Sequence, residues 1–201
     1  MMRGYYFITD PALSRHGNTS DVRDAINAGV KVVQYRNKTA STKEMIDEAL
    51  LLKKLCKRVV FIVNDRVDIA LAVDADGVHI GNQDMPYTVA RRLLGRKKII
   101  GVTVHSAQEA REAEKNGADY LGVSPIFITT TKKDAGRPSG TALIRSIKKI
   151  CRIPVVAIGG INLKNAPAVI DAGADALCAI SAVVMKNNVK KEIGKFQKLF
   201  Y

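Results

Sequence analysis

Asp65 and Asp84 are two carboxylates, each standing shortly after a β-branched run, Val59–Val63 and Gly77–Ile80. At the ends of neighbouring strands, ~4.8 Å apart across a sheet, such a pair can share a divalent cation. Magnesium usually takes one or two protein carboxylates and completes its shell with water and phosphate oxygens. The alternative is that each aspartate caps the helix that follows it. Three cations, Arg36, Lys38 and Lys132, fall in comparable positions after other runs. Arginine offers phosphate a planar fork and lysine a mobile point charge. Gly159-Gly160 and Ile180-Ser181 close two further runs. Glycine lets the backbone approach an anion, and free N–H groups at a helix start can hold it; the alternative is a tight turn with no ligand. Together these residues suit a substrate that carries a pyrophosphate.

The three histidines carry less information. His16 lies in a polar stretch. His79 ends a strand and reads as a structural rim residue, while His105 lies near the expected mouth and is a candidate acid–base group.

The elements that must position these residues follow one rhythm. Eight short apolar runs are expected as strands: Tyr5–Thr9, Val32–Tyr35, Val59–Val63, Gly77–Ile80, Ile99–Thr103, Tyr120–Val123, Val155–Ile158 and Ala176–Ile180. Helices are expected between them at Ser20–Ala28, Thr42–Cys56, Arg66–Val73, Tyr87–Leu94, Ala107–Asn116, Thr141–Ile150 and Lys164–Ala172, with a last one at Asn188–Leu199. Ser41 with Glu44, and Ser106 with Glu109, read as capping boxes. Met45, Ala49, Leu52 and Cys56 recur at helical spacing. Gly117-Ala118-Asp119 and Gly173-Ala174-Asp175 read as an internal repeat of one βα unit, with glycine in the left-handed position past a helix end. The strand runs are continuous rather than alternating, as parallel strands buried on both faces require. The expectation is an α/β fold, a single-domain (β/α)8 TIM barrel over residues 1–201 whose active site lies at the C-terminal strand ends.

Composition removes other classes. With 201 residues and 47% hydrophobic content, one globular domain is expected. Apolar runs such as Val59–Val63 are far shorter than the ~20 residues a membrane span needs, and the start has no signal-peptide pattern. Cys56, Cys151 and Cys178 are odd in number and widely spaced, which argues for buried, reduced thiols in a cytoplasmic protein rather than a disulfide framework or zinc site. The net charge of +13 raises a nucleic-acid partner. Aromatic residues make up only 5%, however, which leaves little for base stacking. Residues 145–201 hold ten Lys/Arg against three Asp/Glu, and Lys186, Lys190, Lys191, Lys195 and Lys198 suit the solvated face of a last helix.

From Tyr6-Phe7-Ile8-Thr9-Asp10 to Ile180-Ser181 the chain resembles the thiamine-phosphate synthase (thiamine-phosphate pyrophosphorylase) family. The most specific segments are Asn64-Asp65-Arg66-Val67-Asp68-Ile69-Ala70, Gly77-Val78-His79-Ile80-Gly81 with Asp84-Met85-Pro86, Thr129-Thr130-Thr131-Lys132-Lys133, and Ile158-Gly159-Gly160-Ile161. The resemblance implies a transferase that couples hydroxymethylpyrimidine diphosphate to a thiazole phosphate, with release of pyrophosphate and dependence on Mg2+. It implies that Gln34, Tyr35, Arg36, Asn37, Lys38, Asn64, Thr103 and Lys132 bind the pyrimidine diphosphate, with Arg36, Lys38 and Lys132 acting on the leaving group. Asp65 and Asp84 correspond to the metal ligands. Thr129, Thr130, Thr131, Gly160, Ile180 and Ser181 correspond to the thiazole-phosphate site. Tyr35 stands where the family often has Leu, Asn37 where it often has an acid, Thr103 in place of Ser and Ile128 in place of Pro. The implied partners are small molecules, with no specific nucleic acid and no membrane; a homo-oligomer stays open. The competing reading is a thiazole tautomerase-like barrel that uses His105 to move a proton.

Overall fold

Continuous β-branched runs have no polar edge to show to water, so they are expected to pair in parallel under a cover of helices. The computed structural model, which describes residues 2–129, 131 and 136–201, has this arrangement. The strands are β1 (Gly4–Tyr5), β2 (Phe7–Ile8), β3 (Val32–Tyr35), β4 (Val60–Asn64), β5 (Gly77–Ile80), β6 (Ile99–Val104), β7 (Tyr120–Val123), β8 (Val155–Ile158) and β9 (Ala176–Cys178). The helices are α1 (Asn18–Asn27), α2 (Thr42–Leu55), α3 (Val67–Ala72), α4 (Tyr87–Leu94), α5 (Ala107–Asn116), α6 (Gly140–Ile150), α7 (Ala166–Asp171), α8 (Ile180–Val184) and α9 (Val189–Gln197), followed by a 3-10 turn at Lys198–Phe200.

Every strand pairing is parallel, and the order β1-β9-β8-β7-β6-β5-β4-β3-β2 closes a ring. β1 and β2 are two pieces of the single expected first strand. Gly4 pairs with Ala176 of β9, and Phe7 pairs with Val33 of β3. Between the pieces, the Tyr6 N–H donates to the Leu177 carbonyl at 2.8 Å. The eight expected staves are therefore present.

Period-two alternation sorts the side chains into two layers. Tyr6, Ile8, Val32, Ile62, Tyr120, Val156 and Cys178 fill the lumen. Phe7, Val33, Tyr35, Phe61, Val63 and Leu121 point outward and meet the helices. The stripe on α2 is as expected: Met45, Ala49 and Leu52 are buried.

The Ser41–Glu44 capping box forms in full. At α5, Ser106 accepts from the Glu109 N–H, but Glu109 reaches one residue further back and accepts from His105 N at 2.7 Å. The Gly-Ala-Asp repeat has a structural cause. Asp119 accepts the Ile100 N–H at the start of β6 and the guanidinium of Arg91 on α4. Asp175 likewise accepts Val155 N–H and Lys148 Nζ, and Asp76, after Ala75, accepts Phe61 N–H and Lys53 Nζ. An aspartate at the foot of the fourth, sixth and eighth staves thus ties the preceding strand to the helix before it.

One element departs from expectation. The eighth strand stops at Cys178, not Ile180, and Ile180-Ser181 opens the short helix α8. The run Ala176–Ile180 is apolar throughout, and its composition does not mark the change of backbone.

All three cysteines are buried and unpaired. Among the described residues no helix is long and apolar enough to cross a membrane.

Candidate active site

A cavity opens at the C-terminal ends of the strands. Alternation along β3 and its extension decides which side chains reach it. Gln34, Arg36 and Lys38 line the cavity. Tyr35 and Asn37, expected to bind substrate, do not: they point outward toward α2. Tyr35 Oη donates to Glu48 at 2.7 Å and Asn37 Nδ2 reaches the same carboxylate at 3.4 Å. Burial, then the bond to Glu48, raises the Tyr35 hydroxyl well above its ordinary pKa.

Arg36 is held from the first stave. Its Nη1 meets Asp10 Oδ2 at 2.7 Å, and its N–H donates to Thr9 Oγ1 at 2.8 Å. Asp10 is almost wholly buried beneath it. Sequence reasoning gave Asp10 no role, although it sits two residues past β2, where the first stave meets the mouth.

The two acids converge. Asp65 follows β4 with φ +61°, a left-handed conformation uncommon outside glycine. It is held there by its own N–H to the His79 carbonyl at 2.7 Å and by the Arg66 N–H to the Asn64 carbonyl at 2.7 Å. Its carboxylate pairs with Lys38. Asp84 Oδ2 accepts the Gly81 N–H at 2.7 Å. Burial raises the Asp84 pKa first, and the Asp65 carboxyl within hydrogen-bonding reach raises it further, while the Gly81 N–H and Lys38 pull the other way. The capping alternative does not apply: Arg66 stands at the cap of α3 and Pro86 at the cap of α4.

The opposite wall is built from loops. Thr129 and Thr131 line the cavity, and the Thr131 N–H reaches Thr129 Oγ1 at 3.3 Å. Thr130 and Lys132 lie outside the described residues. Gly160 has φ +64°, and a Cβ there would stand 2.4 Å from the Ile128 carbonyl. This turn therefore accepts only glycine without rearrangement, which brings the backbone after β8 against the loop after β7. Ile180 and Ser181, in the first turn of α8, face the same space, as do Asn64 and Thr103. His79 also lines it; its ring lies between Tyr120 Oη and Thr103 Oγ1.

His105 turns away. Its Nδ1 lies 2.6 Å from the Ser124 carbonyl, and it is not among the lining residues. The reading that gives it proton transfer therefore finds no support in the geometry.

Two facing carboxylates, one made uncomfortable by the other, fit a divalent cation, which would remove their repulsion. Among the described residues no cluster of three or more His, Cys, Asp or Glu could hold a metal. With two carboxylates as ligands, the rest of a cation's shell would come from water and substrate, as magnesium usually has it. Arg36 and Lys38 add positive charge at the same rim, and the glycine turn and α8 start supply backbone N–H groups across from them.

The chain is similar to known proteins over most of its length. A profile of the family described as thiamine monophosphate synthase matches residues 5–183. The chain belongs to the thiamine monophosphate synthase family. It is 58% identical to the thiamine-phosphate synthase of Methanosarcina mazei over 193 residues, 96% of this chain and 80% of that one. It is 54% identical to that of Chloroflexus aurantiacus over 187 residues, 92% and 86% of the two chains. The solved thiamine phosphate pyrophosphorylase from Pyrococcus furiosus superposes with a TM-score of 0.90 at 43% identity, over 98% of this chain and 95% of that one. Membership makes the chain a transferase of thiamine biosynthesis on a TIM barrel, acting on small molecules.

Proposed function

We propose that this enzyme joins hydroxymethylpyrimidine diphosphate to a thiazole phosphate, giving thiamine monophosphate and pyrophosphate with the help of Mg2+, in the cytoplasm. The observation that carries the reading is the meeting of Asp65, Asp84, Arg36 and Lys38 at one mouth.

In this reading the bond between the pyrimidine methylene and the diphosphate oxygen breaks first, and its electron pair leaves with pyrophosphate. The methylene is then cation-like, and the thiazole nitrogen donates its lone pair to form the new C–N bond. Arg36, fixed by Asp10, and Lys38 neutralise the charge that grows on the leaving group, with Lys132 in the same role. Gln34, Asn64 and Thr103 hold the pyrimidine. Thr129, Thr130, Thr131, Gly160, Ile180 and Ser181 hold the thiazole phosphate. Asp65 and Asp84 would bind the magnesium, which supplies Lewis-acid stabilisation of phosphate oxygens. No covalent nucleophile is required; holding two substrates face to face supplies much of the rate.

The test is pyrophosphate release measured with both substrates and Mg2+. Release should need all three. Asp65→Asn keeps a residue that tolerates positive φ, so it should fold and still lose at least about tenfold in turnover, ~1.4 kcal/mol of transition-state stabilisation. Lys132→Ala should lose a similar factor. Near-normal turnover in both variants, or thiazole isomerisation without metal as the sole activity, would overturn the reading.

A further inference from the structure

Below the cavity, five polar side chains run in file across the lumen. Gln34 Nε2 lies 2.9 Å from Tyr6 Oη, Tyr6 Oη 2.7 Å from Tyr120 Oη, Tyr120 Oη 2.9 Å from His79 Nδ1, and His79 Nε2 2.8 Å from Thr103 Oγ1. The first four side chains are buried, and Thr103 is half-buried at the cavity wall. The barrel makes room for them. A Cβ on Gly101 of β6 would stand 2.0 Å from the Tyr120 ring, and one on Gly122 of β7 would stand 2.8 Å from the His79 ring. Glycine inside a strand weakens it and often marks a close approach; here both glycines serve these two rings.

One order of protons gives every donor along the file an acceptor. An amide NH2 only donates, so Tyr6 Oη accepts from Gln34. Tyr6 and Tyr120 are neutral phenols, since burial holds both pKa values far above the ordinary range. Each therefore has one proton to give. The Tyr6 proton goes to Tyr120 Oη, and the Tyr120 proton goes to His79 Nδ1. For a neutral imidazole, Nδ1 is then bare, the proton sits on Nε2, and it is donated to Thr103 Oγ1. Thr103 accepts from below, and its own proton is left to face the cavity.

We propose that the file Gln34–Tyr6–Tyr120–His79 is a positioning device that presents the Thr103 hydroxyl as a hydrogen-bond donor, and so selects a ligand whose ring offers a bare nitrogen at that point. Resting on the function proposed above, that ligand is the pyrimidine, whose ring nitrogens are acceptors. Tyr6, Tyr120 and His79 act through Thr103 and Gln34; they need not touch the substrate. Serine at position 103 would serve equally, because the device needs one hydroxyl and no more.

The experiment reads the imidazole directly. In a 15N-labelled chain carrying His16→Gln and His105→Gln, His79 is the sole imidazole. Nitrogen spectra should place its proton on Nε2, with Nδ1 bare and accepting. A proton on Nδ1, or on both nitrogens, overturns the proposal without any change to the file itself. Tyr120→Phe should then mix the two tautomers and raise KM for the pyrimidine diphosphate by about fivefold or more, the size of one hydrogen bond, with kcat within about twofold. Thr103→Val should raise KM as Tyr120→Phe does. Unchanged spectra and KM in folded Tyr120→Phe would also sink it. An active synthase with the other tautomer removes the file alone, whereas the expected tautomer in a chain that makes no thiamine monophosphate removes the functional reading alone.

Discussion

Asp21, at the fourth position of α1, is almost wholly buried, and among the described residues its Oδ1 has no hydrogen-bond partner; nor does the Oδ1 of Asn18 one turn earlier. Ser14 donates to the other oxygen of Asp21, at 2.6 Å. Burial raises the Asp21 pKa, with Ser14 and His16 opposing. A carboxyl raised in the native state binds its proton more tightly there than in the unfolded chain. Its contribution to stability is therefore greatest at low pH and falls as pH climbs from the usual carboxylate value through the raised one. Asp21→Asn removes that slope and replaces a buried charge with a group that can donate. Thermal melts should show the variant as stable as wild type or better by about 1 kcal/mol at neutral pH, with the gap closing toward about pH 4. A variant less stable at neutral pH would refute this account. At the same scale, the meeting of Asp65, Asp84, Arg36 and Lys38 at one mouth was legible in the sequence, because each follows a strand run. Tyr35 and Asn37 were misplaced for a definite reason. The resemblance carries a segment as a block, while the strand turns every second side chain outward, and only Gln34, Arg36 and Lys38 share the inward face. Asp10 and His79 were undervalued because their partners, Arg36 and the Tyr6–Tyr120 pair, are distant in sequence.

Among the elements, the aspartates at the feet of the staves show how a small barrel keeps its register. Asp76, Asp119 and Asp175 each close a backbone donor that the neighbouring strand leaves over, and each holds a cation of a helix. Asp119→Ala should therefore cost about 1–3 kcal/mol in denaturant unfolding, since it leaves the buried Ile100 N–H without its acceptor. It should leave kcat within about twofold, because that end of the barrel serves stability and not chemistry. A large loss of kcat in the folded variant would show that the two ends are coupled. The sequence disclosed two of the three copies through Gly-Ala-Asp. The third, Asp74-Ala75-Asp76, lacks the glycine and so escaped a search by residue type. Strands and longer helices were legible because continuous apolar runs and capping residues bracket them. The five-residue helix α8 was not, because one and a half turns are too short to develop a helical period.

Taken whole, the molecule carries 32 Lys and Arg side chains, and two groups of them bear on the readings above. Arg36 and Lys38 face the mouth, while Lys186, Lys190, Lys191, Lys195 and Lys198 are exposed at the end of the chain, on and around α9. The seam where the ring shuts has a further consequence, in time rather than space. The first stave is made of the earliest residues, yet one of its partners is β9; Tyr5 Oη reaches the Ala179 carbonyl across 174 residues of chain. Until β9 exists, one flank of that stave has nothing to bond to, and β8 is an open edge of the kind that invites wrong pairings. Contacts so distant along the chain form slowly. In refolding followed by pulsed deuterium labelling, the amide of Tyr6 should become protected after those of Ile100 and Leu121, whose acceptors lie much nearer in the chain. Protection of all three in one phase would mean that the cylinder assembles at once, instead of waiting for its earliest-made and latest-made pieces to meet.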